Sequence, residues 1–313
     1  MTKNLIRAGL VAFTAFSLTS CGEKENPKPA DPPKDPNSSS TDKPEEGVTT
    51  LRFSAIPDSD TTAQAEKYAA LAKYLDEKLE GIKVEFVPSA DYASSVEKFS
   101  NGDIQLAWFG GVTGVQARDN VEGAEAIVAG KEDLEYMSYF IANAATGLKP
   151  SDEFPAAIAD LKFTFGSTSS TSGHIMPVHF IMENSGKTRD EFFSKEFGFS
   201  GAHDKTAKLV EEGAFEAGVL SYTTYEKMVK NGSLDTEKCV LVWKTPFYPD
   251  YNFTAHPELG EELIKKIQDV LVAIDGETEE GKVILGILNR SSLVKVKSDD
   301  FLPIATVLEA VTK

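Results

Sequence analysis

The sequence predicts an α/β fold of two lobes joined by two chain crossings, and three observations predict it. Strand-like and helix-like segments alternate along residues 49–313, which implies helices layered on a mainly parallel sheet. The alternation comes in two series, 50–146 and 162–245, followed by a helical return. The body is long enough to bury a large core or a pair of smaller ones. The boundaries this gives are 49–147 plus 247–313 for lobe 1 and 148–246 for lobe 2, with crossings near 142–150 and 243–252.

Residues 1–20 read as a secretory signal: Lys3 and Arg7 precede an apolar stretch, Ala8 to Leu18, too short to span a bilayer. "LTSC", ending at Cys21, resembles the lipobox of bacterial lipoproteins, which implies cleavage before Cys21 and a lipid on its sulfur. Residues 21–48 hold six of the fifteen prolines and no aromatic residue. Such a segment cannot bury enough apolar surface to offset its ordering entropy. It reads as a tether with a reach of about 30 Å.

The net charge is −17, spread along the chain, which argues against nucleic acid as a partner. Besides Cys21 only Cys239 is present, so no disulfide forms within the body, and Cys239 in "KCVLVW" reads as a buried strand residue. Four histidines without close pairing carry no zinc signature.

Along the body, "TLRFSAIP" (50–57) reads as a strand and leads to "TAQAEKYAALAKYLDEKL", whose Ala65, Tyr68, Leu71, Ala72, Leu75 and Leu79 keep helical spacing. "KVEFVPS" (83–89) is a strand before a short helix, "DYASSVEKFSNG". "IQLAWFG" (104–110) is an apolar run, as a strand buried on both faces should be. "AEAIVAG" (124–130) and "YMSYFIANAAT" (136–146) follow as strands. The second series holds strands "KFTFGS", "FEAGVLSY" (215–222) and "CVLVWKT" (239–245), with helices "HDKTAKLVEEG" and "TTYEKMVKNG". The chain ends in helices near 257–273, 277–288 and 301–312.

In "KFTFGSTSSTSGHIMPVHF" (162–180) six Ser/Thr residues stand where a strand hands over to a helix. A helix N-terminus presents unpaired N–H groups and partial positive charge, an anion site that needs no cationic side chain. Ser170, Thr171 and Ser172 add hydroxyl donors, and Gly173 lets the backbone approach an oxyanion closely. Pro177 is tolerated because it falls near the first turn. A serine N-cap alone needs one hydroxyl, not six.

"FGSTSSTSGHIMPVHF" resembles the "STSG" ligand loop of the substrate-binding proteins of phosphate, phosphite and phosphonate ABC importers. "LRFSAIPD", "VPSADYASSVEKFSNGDIQLAWFGGVTGVQARD", "GFSGAHDKTAKLVEEGAFEAGVLSY" and "VWKTPFYPDY" stand in that family's order, with most similarity to the branch named for selenate. The resemblance implies a type II periplasmic binding-protein clamshell and a small tetrahedral oxyanion held by Ser170, Thr171, Ser172 and Gly173. It implies Tyr92 facing the ligand across the cleft, and Trp108 and Phe109 lining the cleft floor. His203 matches a Gly-Ser-His segment, with Ala202 in place of the serine, as a ligand contact or a helix cap. Tyr248 and Asp250, with Tyr251, lie on the second crossing as gate residues or hinge packing. Glu216 stands where many relatives have aspartate, as an acceptor for a ligand ammonium or a protonated oxygen. Gly114 stands where phosphonate binders carry a tyrosine. The partners implied are an inner-membrane ABC permease with its ATPase and, through the lipid, the membrane. A monomer outside the cytoplasm, lipid-anchored, with no catalysis, metal or cofactor, is the expectation.

A carboxylate aimed at the cradle favours an anion that keeps a proton, such as phosphite, phosphate or a phosphonate, over fully ionised sulfate or selenate. Three other functions use the same residues. A sensor would present the clamshell to a receptor, and an alkylsulfonate or pyrimidine binder would keep transport but change the cargo. A hydrolase would need Ser172 as nucleophile, yet "SSTSG" lacks the glycine of a nucleophile elbow. His174 and His179 read as helix surface or cap.

Overall fold

The structure, a computed structural model, describes residues 49–312; the signal, Cys21 and the tether lie outside the described residues. In chain order the strands are β1 (Thr49–Ala55), β2 (Ile82–Phe86), β3 (Leu106–Phe109), β4 (Glu125–Gly130), β5 (Ser138–Asn143), β6 (Phe163–Phe165), β7 (Gly198–Phe199), β8 (Ala217–Ser221), β9 (Cys239–Lys244), β10 (Asn252–Ala255) and β11 (Leu293–Lys295). The helices are α1 (Thr61–Lys78), α2 (Tyr92–Ser100), α3 (Gly111–Asn120), α4 (Met176–Ser185), α5 (Arg189–Phe192), α6 (His203–Glu211), α7 (Tyr222–Lys230), α8 (Gly260–Val272), α9 (Glu279–Leu288) and α10 (Leu302–Thr312).

Two sheets divide these strands, ordered β11-β4-β10-β3-β1-β2 and β7-β6-β8-β5-β9. β1 is parallel to β2 and β3, and β6 to β7 and β8. β10 runs antiparallel between β3 and β4, and β5 antiparallel between β8 and β9. Both sheets are therefore mixed rather than mainly parallel. The reason is topological: β5 and β10 are laid down directly after a crossing. Each enters its sheet from the hinge side, against strands whose carboxyl ends point there.

The segment 136–146, expected in the first series, supplies β5 to the second sheet. The chain therefore changes lobes at Tyr136 and Met137, ahead of the expected boundary at 147. The two crossings are tied to each other. Tyr136 and Tyr248 exchange backbone hydrogen bonds of 2.8 and 3.0 Å, and the Asp250 N–H donates to the Asp133 carbonyl at 2.9 Å. This short antiparallel ladder is the hinge.

β3, the apolar run between β10 and β1, is buried along its length. α1, α8 and α9 pack together on the first sheet, and α2, α3 and α10 form a second group. In the second lobe the pleat of β5 sorts its side chains: Phe140 joins Phe163 and Trp243, while Tyr139 and Ile141 pack with Ala207 of α6 and Met228 of α7. Cys239 is fully buried there, and burial pushes its thiol up to about 12.

Candidate functional site

The six hydroxyls do not act alike. Ser167 to Ser169 form a turn closed by the Ser170 N–H on the Ser167 carbonyl at 3.0 Å, while Ser170, Thr171 and Ser172 are at most 2% exposed. Thr171 to Ile175 make one π-helical turn leading into α4. Such widened turns recur at functional sites, because they re-aim the N–H groups of a helix start. Ser170 Oγ caps the Gly173 N–H at 3.0 Å. A Cβ on Gly173 would lie 2.9 Å from Ser170 Oγ and 3.2 Å from both Gly166 Cα and His203 Cε1. The glycine thus lets the loop pack on its own lobe, rather than admitting a ligand from that side.

Two side chains hold this loop from behind. His174 is buried, not on a helix surface: its Nδ1–H donates to the Thr168 carbonyl at 2.7 Å and its Nε2 accepts from Arg189. Burial pulls its pKa down to about 4. Ser138 Oγ donates to the Ser172 carbonyl at 2.7 Å. The Tyr248 hydroxyl must then donate to Ser138 Oγ. Tyr248 is therefore a support for the cradle, reaching it through one serine.

Across the cleft, lobe 1 answers with a second helix start. Gly111 and Val112 open α3, which the sequence did not reveal, and their N–H groups point at the second crossing and the cradle. Gly111 N–H donates to Asp250 Oδ1 at 2.9 Å, and Val112 N–H donates to Thr171 Oγ1 at 3.0 Å. A Cβ on Gly110 would lie 3.2 Å from Thr171 Oγ1 and 3.3 Å from Asp250 Oδ1. The bare backbone is what allows this close approach. The space a side chain at Gly114 would need is taken by Arg118 and Asn252, each 3.0 Å from a Cβ built there. The absent tyrosine is thus built into the packing.

Tyr92 is the first residue of α2, fixed by a reciprocal cap in which Asp91 and Ser94 each take the other's backbone N–H. It is 3% exposed, and its hydroxyl has no hydrogen-bond partner. The same holds for Ser172 Oγ and Asp250 Oδ2. Burial pushes the Asp250 carboxyl up to about 7, with Asp133 adding to the rise and the Gly111 N–H opposing it. The Thr171 and Ser172 hydroxyls stand near enough to oppose it too, yet Asp250 Oδ2 closes no hydrogen bond with them. Buried polar atoms are almost always paired. Of the four among the described residues that are not, Glu132 Oε2 stands apart, and the other three come from both lobes and the crossing between them.

His203 begins α6 and is buried beside Gly173. Its Nδ1 accepts the Ser221 N–H at 3.2 Å, so the proton sits on Nε2, 3.4 Å from the Tyr251 hydroxyl. Burial holds its pKa down to about 4, so the ring is neutral. Tyr251 in turn donates to Asp58 at 2.9 Å.

Two expected contacts are corrected. Glu216 stands immediately before β8, at the end of that strand remote from the cradle. It takes the Lys162 N–H at 2.7 Å and pairs with Lys195 at 2.9 Å on the surface. Trp108 and Phe109 are adjacent on β3, so the pleat sends them to opposite faces. Trp108 stacks on Tyr251 at 5.6 Å between the lobes, whereas Phe109 packs on Phe99 in the lobe 1 core. Arg290, which carries no local sequence signal, chelates Asp133 at 2.6 and 2.7 Å and lies over Trp108, Tyr136 and Tyr251. It braces the hinge from below.

Residues 53–301 match the family model described as the periplasmic substrate-binding protein of the phosphonate ABC transporter. The chain is 34% identical over 257 residues to the "Probable ABC transporter phosphite binding protein PhnD1" of Prochlorococcus marinus (strain MIT 9301), covering 80% of this chain and 86% of that one. It is 32% identical to the "Phosphate-import protein PhnD" of Mycolicibacterium smegmatis, covering 70% of each. The structure of PhnD1 in complex with methylphosphonate superposes with a TM-score of 0.79 at 32% identity, over 85% of this chain and 99% of that one. A binding-protein component of an ABC phosphonate transporter from Pseudomonas aeruginosa shares the fold, with a TM-score of 0.72 at 19% identity over 83% of this chain and 85% of that one.

Proposed function

This chain belongs to the family of periplasmic substrate-binding proteins of phosphonate ABC transporters, and from that premise we propose that it captures a small, singly protonated phosphorus oxyanion such as phosphite or methylphosphonate. The observation that carries the proposal is the buried Asp250 carboxyl, whose Oδ2 faces the Ser/Thr loop without a partner. A tetrahedral anion that keeps one proton satisfies both sides of the cleft. Its P–OH donates to Asp250, while its other oxygens accept from the unpartnered hydroxyls of Ser172 and Tyr92. Sulfate and selenate have no proton to give, and above the raised Asp250 value of about 7 they would set two like charges against each other out of water. Asp250 thus takes the role the sequence offered to Glu216, and PhnD1's methylphosphonate complex supports the ligand class.

Closure follows from the placement of the donors. Tyr92 and the α3 start belong to one lobe and Ser170 to Ser172 to the other, so a ligand touching both favours the closed form. The closed, loaded protein then docks as a monomer on a membrane permease, with Cys21 as its lipid anchor. The Nε2-protonated, neutral His203 cannot take a proton from a serine, which favours binding over hydrolysis. Calorimetric titration with phosphite, methylphosphonate, phosphate, sulfate and selenate at pH 7.5 tests the proposal. Phosphite or methylphosphonate should bind, with sulfate and selenate at least about 100-fold weaker. Silence from all five, or a preference for sulfate, refutes it.

A further inference from the structure

Beside the cradle, between the lobes, lies a cavity of about 400 Å³ where basic side chains of both lobes gather. The whole sequence has 32 basic and 49 acidic residues. The cavity wall sets five cations (Lys67, Lys205, Lys208, Lys227 and Arg290) against three carboxylates, Asp58, Asp60 and Asp204. Lys208 is paired with Glu211 and Arg290 with Asp133, both at 2.6 Å. Lys67, Lys205 and Lys227 close no ion pair among the described residues. Two of the acidic groups facing them are held in place by neutral donors of the same wall and keep their charge. Asp58 accepts from Tyr251 and Gln64 at 2.9 and 2.8 Å, and Asp204 accepts the Asp60 N–H at 2.9 Å.

The three lysines come from both lobes, Lys67 from α1 and Lys205 and Lys227 from α6 and α7. All three side chains are exposed, at the mouth of the cavity rather than inside it; the Lys227 ammonium is held below the usual lysine range, by desolvation of its head group and then by Lys67. Asp58 opposes that shift and Arg290 adds to it. Lys67 and Lys227, one from each lobe, thus repel across the cavity, and an anion between them would relieve that repulsion. The cavity also adjoins the cradle: Tyr251 lines it and touches His203 Nε2, and His203 lies against Gly173. One tyrosine–histidine pair separates the two spaces.

We propose that this cavity is an anion-capture vestibule, in which Lys67, Lys205 and Lys227 gather the incoming oxyanion and lead it past Tyr251 and His203 to the Ser/Thr cradle. In a protein of net charge −17 these three ammonium groups offer an incoming anion local partners at the mouth of its site. The inference rests on the cradle being an oxyanion site.

The test is stopped-flow binding of phosphite and methylphosphonate, followed by tryptophan fluorescence, since Trp108 lines the vestibule. The triple variant Lys67→Gln/Lys205→Gln/Lys227→Gln is compared with wild type and with Lys149→Gln/Lys187→Gln/Lys265→Gln, which removes the same charge from exposed sites elsewhere. In low salt the vestibule variant should associate about tenfold more slowly, with dissociation unchanged within about twofold. The gap should close near 0.5 M salt, where screening is nearly complete (~4 Å). The control triple should associate like wild type. Equal association rates, or an equal loss in the control, overturn the vestibule while leaving the cradle intact. No binding of either anion by wild type overturns both.

Discussion

Replacing Thr171 and Ser172 together by alanine is expected to weaken phosphite and methylphosphonate binding by about 100-fold or more, with the fold retained. Ser172 Oγ is a buried hydroxyl with no protein partner, so its removal leaves nothing inside the protein unsatisfied. Thr171 Oγ1 accepts the Val112 N–H across the cleft, so its loss also frees a donor on the facing lobe and loosens closure. Each hydrogen bond from a hydroxyl to an anion is charge-assisted and contributes about 1.5–3 kcal/mol. Two of them give about two to four decades in Kd. Titration calorimetry reads the affinity, and far-ultraviolet circular dichroism confirms folding. Undiminished affinity would place the ligand elsewhere.

Asp250→Asn should change selectivity more than affinity. At pH 7.5, above the Asp250 value of about 7, the amide offers an N–H where the carboxylate offers only acceptors, so phosphite and methylphosphonate should bind about 10- to 100-fold more weakly. Sulfate and selenate should gain. Glu216→Gln is the matched control, and because Glu216 is engaged by Lys162 and Lys195 on the surface it should leave every affinity unchanged. The same aspartate sets a pH dependence. Its carboxyl is raised from 3.8 to about 7 in the folded chain, so the folded state holds the extra proton between those values. Stability of the ligand-free protein therefore falls as pH rises through that window and levels off above it. The shift corresponds to about 4 kcal/mol. Thermal melts of wild type and Asp250→Asn across pH 4–8 should converge or diverge accordingly, the wild type losing ground as pH rises. Parallel curves would show that Asp250 is solvated.

The layered α/β class was legible because β3's apolar run and α1's helical spacing are long and clean. The Ser/Thr loop was legible because six hydroxyls at a strand-to-helix junction exceed what a cap requires. What stayed hidden was short or non-local. "NFTA" and "LVK" are too short to show strand periodicity, and "GVTGVQARDN" reads poorly as a helix, with two glycines and β-branched residues in its first turn and a half. Yet α3's start meets the loop and the second crossing, its first two N–H groups donating to Asp250 and Thr171. Which carboxylate meets the loop could not be read from spacing, because Glu216 and Asp250 both adjoin strands. Only the direction of each strand puts one at the cleft and the other on the far surface. Arg290 meets Asp133 across 157 positions of sequence, a pairing that no local pattern announces.

The most direct test of the Asp250–cradle account is a crystal structure with methylphosphonate bound. The prediction is a phosphonate oxygen within about 3 Å of each of Asp250 Oδ2, Ser172 Oγ and Tyr92 Oη, with the methyl group away from the α3 start. A ligand bound elsewhere, or an Asp250 carboxylate turned from it and solvated, would contradict the account.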